Sequence, residues 1–112
     1  MKIAFSTTGK DLSAPMDPRF GRAAYFLIYD TETKATEAIK NAYADAGQGA
    51  GIKAAETIVK AGASVLVTGD CGPKAFNALK QAHVKIYSAK NVSVAEALAS
   101  FEAEKLPEIT SA

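Results

Sequence analysis

Ser64-Val65-Leu66-Val67-Thr68-Gly69-Asp70-Cys71-Gly72-Pro73 is the stretch that decides how this chain folds. Its first five residues form a continuous apolar, β-branched run, too short for a helix and suited to a parallel strand covered on both faces. Gly69 to Gly72 turn the chain, and Pro73 stands where the first turn of a helix tolerates a missing N–H. A strand that leads directly into a helix implies a crossover connection, and such connections are right-handed.

Outward from that stretch the hydrophobic period changes. Upstream, Gly51 opens a helix on which Ile52, Ala55, Val59 and Ala63 recur at helical spacing, with Glu56 four residues before Lys60 and Gly62 as the stop. Downstream, Phe76, Leu79 and His83 share one face of a second helix, and Val84-Lys85-Ile86-Tyr87 reads as a further strand. Ser93 and Glu96 make a capping box that opens a third helix on Val94, Leu98 and Phe101, with Pro107 as its terminator. The first third is different. Lys2 to Ser6 is a buried strand ending in Thr7-Thr8-Gly9-Lys10, Pro15 and Pro18 keep the next segment out of helix, and Ala23 to Tyr29 and Lys34 to Asn41 form an antiparallel pair. The elements run strand, strand, strand, helix, strand, helix, strand, helix. This predicts an α/β domain with a five-stranded mixed sheet in order 3-2-1-4-5, the arrangement of the ribonuclease H-like fold, over residues 1–107, with 108–112 as a loose tail.

At 112 residues the chain suits one domain, and folding removes roughly 65% of the unfolded surface from water, enough for a core without staples. One cysteine, Cys71, and one histidine, His83, exclude a disulfide framework and a zinc finger within one chain. A net charge of +1 excludes nucleic-acid or membrane binding through bulk charge, and no apolar run is long enough to span a bilayer. Met1 to Ser6 lacks a signal-peptide core, so a cytoplasmic location is expected. The near-neutral total conceals polarity. Among residues 1–22, Lys2, Lys10, Arg19 and Arg22 face only Asp11 and Asp17, whereas in 91–112 Lys105 faces Glu96, Glu102, Glu104 and Glu108.

In an open α/β sheet ligands settle beyond the carboxyl ends of the parallel strands, where strand order reverses. Ser6, Thr7, Thr8 and Gly9 lie there, as do Gly69, Asp70, Cys71, Gly72 and Pro73. Arg19-Phe20-Gly21-Arg22 carries the only two arginines against 11 lysines. A planar guanidinium offers fixed donors to an anion, and equally to a structural partner such as Asp17 or Asp30. The Gly47-Gln48-Gly49-Ala50-Gly51 loop should lie at the other end of the sheet unless its length folds it back. Gly49-Ala50-Gly51-Ile52-Lys53-Ala54 matches a dinucleotide fingerprint formally, but polar loop rather than a strand precedes it, so the pattern does not carry a nicotinamide or flavin site. Cys71 sits where a helix dipole favours thiolate and could meet a soft metal or a sulfide cluster; it also fits a small buried loop residue. His83 is placed on the core side as a structural residue, and Asp70 as a turn residue. Two-metal nuclease chemistry lacks its carboxylates, because Lys2 to Ser6 has no acid and Asp70 no partner acids.

Lys2-Ile3-Ala4-Phe5-Ser6, Phe20-Gly21-Arg22 leading to Tyr29-Asp30, Gly47 to Gly51 before a helix, and Thr68-Gly69-Asp70-Cys71-Gly72-Pro73-Lys74-Ala75 before another resemble the dinitrogenase iron-molybdenum cofactor biosynthesis family over residues 1 to about 90. Its relatives include the orange proteins, which hold a molybdenum-copper sulfide cluster, and Asp17 to Ala23 is closest to that branch. The resemblance implies a ribonuclease H-like fold and a noncatalytic role: binding, storing or delivering an anionic metal-sulfur cluster, of molybdenum-copper sulfide or iron-molybdenum cofactor type, with cofactor-delivery or ATPase-type proteins as partners. Many members carry a histidine just before Phe-Gly-Arg, where this chain has Arg19, which favours electrostatic capture. A cluster that brings its own sulfur needs cations and amide donors, which Arg19, Phe20, Gly21, Arg22 and Lys74 with the Ser6–Gly9 and Gly69–Gly72 loops could supply, Cys71 being an optional contact. The second reading is a protein-interaction or regulatory module on the same fold, without a cluster.

Overall fold

The structure is a computed structural model that describes residues 1–111. β1 (Lys2–Thr7), β2 (Tyr25–Asp30) and β3 (Thr36–Lys40) precede α1 (Ala50–Lys60), β4 (Ala63–Thr68), α2 (Pro73–Gln81), β5 (Lys85–Ser88) and α3 (Val94–Glu102), and a single 3-10 turn covers Phe20–Arg22. The sheet order is β3-β2-β1-β4-β5. β1 pairs antiparallel with β2 and parallel with β4, so the strand order reverses beside β1 as the sequence predicts.

Alternation along the strands separates two cores. Ala4, Phe26, Ile28, Leu66 and Ile86 point to the side covered by α1 and α2, where they meet Ala54, Ile58, Phe76 and Leu79. Ile3, Phe5, Leu27, Val65 and Val67 point the other way, against Val94, Ala97 and Leu98 of α3. Each fully buried Leu, Ile or Phe contributes about 1.5–3 kcal/mol, so both layers are needed to hold the sheet. The Ser93–Glu96 capping box is formed, and Pro73 occupies the first turn of α2.

Several sequence expectations are corrected. α1 buries Ala50, Ala54, Ala55 and Ile58, while Ile52 and Val59 are exposed, because the small alanines let α1 sit close to the sheet and to α2. His83 is exposed rather than on the core face: α2 ends at Gln81, and His83 takes a left-handed conformation (φ 62°) that turns the chain into β5. α3 stops at Glu102, five residues before Pro107, with Glu104 left-handed at φ 58°. The chain beyond it is not loose at its start. Ser88 N–H donates to Pro107 O (2.9 Å) and Ile109 N–H to Ile86 O (2.7 Å), so 107–109 lie along the outer edge of β5, with Ile109 packed on the core. Of the expected tail, Ala112 lies outside the described residues. At the other edge β3 is exposed except for the half-buried Ile39.

The Gly47–Gly51 loop is also relocated. α1 runs antiparallel to β4, so the helix begins at the carboxyl edge of the sheet, and a Cβ on Gly21 would lie 2.9 Å from Gly51 N. Replacing Gly21 with alanine must therefore part the 3-10 turn from α1. We expect Gly21→Ala to lower unfolding free energy by about 1–3 kcal/mol in urea titrations, while Gly72→Ala, which meets nothing within 4 Å, changes it little.

Candidate functional site

A cavity of about 540 Å3 opens where the 3-10 turn, the start of α1 and the start of α2 converge. Phe20, Ile52, Pro73 and Ala75 give it apolar walls, and Arg19, Arg22, Asp70 and Lys74 are its charged lining residues. Neither helix has a side-chain cap: Gly49, left-handed at φ 82°, precedes α1, and Gly72 precedes α2. First-turn N–H groups have no intrahelical acceptor, so two helix starts present amides and the positive ends of their dipoles to one cavity.

The surrounding loops are cross-stitched. Asp70 N–H donates to Pro18 O (2.7 Å) and Phe20 N–H to Asp70 O (3.4 Å), forming a bridge between Arg19 and Asp70 that joins the loop after β1 to the loop after β4. Gly69 permits this. A Cβ there would come within 2.6 Å of Pro18 Cα.

The cations differ in what they are free to do. Arg19 leans on the buried Asp17 carboxylate (Nε–Oδ1 3.4 Å), yet its side chain remains 67% exposed. Lys74 is exposed and forms no ion pair among the described residues. Arg22 instead donates to backbone carbonyls of Ala44, Ala46 and Gly47. Asp70, the one acid lining the cavity, is met by Lys90 (3.2 Å). Lys90 thus sets a positive charge beside the one rim carboxylate.

The structure brings together Arg19, Phe20, Gly21, Arg22, Asp70, Gly72 and Lys74 from the expected set, and adds the Gly47–Gly51 loop, Ile52, Pro73 and Ala75. It does not bring Ser6, Thr7 or Thr8 into the cavity. Ser6 and Thr7 are fully buried, and their hydroxyls bond Asp17 O, Thr68, Gly9 O and Pro15 O; Thr8 also donates to Pro15 O. Gly69 serves the close approach to Pro18 rather than the lining. Cys71 is half-buried, packs against the α1/α2 core and does not line the cavity. Burial pushes its thiol up from 9.0 to about 11, which agrees with a small buried loop residue rather than with a thiolate. Asn41 and Lys90 carry no local sequence signal, because their partners lie far along the chain. Gly49 and Gly51 at a helix start were the available pointer to that part of the cavity.

No group of three His, Cys, Asp or Glu side chains that could hold a metal ion occurs among the described residues. The donors present are amides and cations, which fit an anion that carries its own ligands rather than a bare metal ion. The profile of the dinitrogenase iron-molybdenum cofactor family matches residues 1–104. The chain belongs to this family. An orange protein from Desulfovibrio gigas, solved in its apo form, superposes with a TM-score of 0.95 at 40% identity, covering 98% of this chain and 93% of that one. A NifB-like protein from Thermotoga gives 0.88 at 39% identity, covering 99% and 95%. An uncharacterised protein of Methanocaldococcus jannaschii is 32% identical over 109 residues, 95% of this chain and 89% of the relative. No helix among the described residues is long and apolar enough to cross a membrane.

A thiol with a raised pKa reacts slowly, because the thiolate is the nucleophile. At pH 7.5 a rise from 9.0 to about 11 cuts the thiolate fraction about a hundredfold. Iodoacetamide should therefore label Cys71 far more slowly in the native protein than in urea, with the native rate still climbing past pH 9, where the rate in urea levels off; equal rates would contradict this environment.

Proposed function

We propose that this chain binds an anionic metal-sulfur cluster without catalysing a reaction, holding it for storage or delivery, and that the cavity between the 3-10 turn, α1 and α2 is the place. The observation that carries this reading is the convergence of two uncapped helix starts with exposed Arg19 and Lys74 around largely apolar walls. Amides and cations in a partly dry pocket gain strength from the lowered dielectric. The apolar walls favour a large, polarisable, weakly hydrated anion over a small, strongly hydrated one. A sulfide-bridged cluster has that character, and its metals need no protein thiolate, in keeping with the protonated Cys71.

Membership of the family and the likeness to an orange protein support a cluster of the molybdenum type, and we favour a molybdenum-copper sulfide over the iron-molybdenum cofactor because the orange protein superposes more closely (TM-score 0.95) than the NifB-like protein (0.88) and Asp17 to Ala23 resembles that branch. In this role Arg19 and Lys74 supply charge, the opening amides of α1 and α2 supply directed donors, and Lys90 keeps Asp70 from repelling the cargo. Partners that load or unload the cluster would approach the cavity mouth.

Mixing the apo-protein with tetrathiomolybdate and copper should give a stable visible chromophore that survives gel filtration. Arg19→Ala/Lys74→Ala should weaken uptake at least about tenfold, the loss of two charge-assisted contacts, whereas Cys71→Ala should leave it unchanged. A chromophore indifferent to both cations would sink the electrostatic reading.

A further inference from the structure

We propose that Arg22 is a positioning residue rather than a contact to the anion: with Asn41 it forms a two-way clasp that holds the 41–49 loop so that the opening amides of α1 face the cavity. The inference rests on the reading of the cavity as an anion site, but its geometry is independent of the ligand.

The clasp runs in both directions between the same two segments. From the 3-10 turn, Arg22 Nη1 donates to the carbonyls of Ala44 (3.0 Å) and Ala46, and Nη2 to that of Gly47 (3.0 Å). From the loop, Asn41 Nδ2 donates to Gly21 O (3.1 Å) and Ala23 O (2.9 Å), the carbonyls on either side of Arg22. Asn41 is 4% exposed and engaged at every polar group: its N–H donates to Ala24 O, and its Oδ1 accepts from Tyr43 N–H. The three carbonyls are reached from two nitrogens of one planar group, a fixed spread that an ammonium, a single atom on a flexible stem, does not present.

The segment held in this way includes Gly47 and Gly49, the latter left-handed at φ 82°, so its own backbone gives little stiffness. Beyond it Gly51 abuts Gly21. The clasp therefore fixes the α1 start against the same turn that carries Arg19 and Phe20. Without it the loop would sample many arrangements, and apparent affinity would fall by the fraction of time the α1 amides face the cavity.

The charge-preserving variant separates the two roles. Arg22→Lys keeps the cation near the cavity but loses the fork; Arg22→Gln loses both. We expect both to lower the backbone 1H–15N heteronuclear NOE of residues 44–51 in the apo-protein. Both should also weaken tetrathiomolybdate-plus-copper uptake by a similar factor, about tenfold where one-tenth of the molecules keep the competent loop. Wild-type NOE values in Arg22→Lys, or uptake retained by Arg22→Lys and lost only in Arg22→Gln, would overturn the clasp. If the wild-type protein takes up no cluster, the cluster reading fails, and the NOE comparison still decides whether Arg22 holds the loop.

Discussion

The backbone of Gly69 lies against Pro18 with no room for a side chain between them, and the bridge between Arg19 and Asp70 runs through this contact. The cavity depends on that approach. It brings the long loop after β1 across the carboxyl ends of β1 and β4, so that Phe20–Arg22 arrives beside the starts of α1 and α2 rather than trailing into solvent. A second close approach, Gly21 to Gly51, then brings α1 against the turn. Both contacts are made by backbone and leave no space for a side chain between the segments they join.

Charge is divided by the sheet itself. α1 and α2 carry Lys53, Lys60, Lys74 and Lys80 against the single acid Glu56, whereas α3 carries Glu96 and Glu102 with no basic residue. The low-dielectric sheet between them limits screening, so a near-neutral protein presents a positive face around the cavity and a negative face behind it. Net charge is a poor guide to such a molecule. What decides attraction is which helices share a side of the sheet.

Strand order and helix count were legible because they rest on local signals: the β-branched run at Ser64 to Thr68, Pro73 at a helix start, and the Ser93–Glu96 box. Sequence pattern and structure part where packing chooses between local options. Ile52 and Val59 have the spacing of a buried face, but Ala54 and Ala55 are small enough to let α1 settle on another side, and apolar periodicity cannot weigh closeness of approach. His83 lies at a helical spacing from Leu79, yet the left-handed turn had already ended the helix. Among the residues lining the cavity, Arg19 and Phe20 are readable from the restricted arginine placement, and Asp70 and Gly72 from the strand-to-helix turn. Arg22 and Arg19 looked alike on paper and differ in the fold, because the partners of Arg22 are carbonyls 22 to 25 residues away. Thr7 and Ser6 were hidden similarly: polar residues at a strand end look available until the loop returning over them takes their hydroxyls.

The strip of chain at 107–109 gives this sheet a finished border. Bound along β5, it occupies backbone groups that a neighbouring strand would otherwise use, and among the described residues it leaves β3 as the sheet's exposed margin. That margin is short and carries Glu37 and Lys40 beside an adjoining Lys34, features that discourage strand addition. Both edges of the sheet thus discourage edge-to-edge pairing with another chain, one by cover and the other by charge.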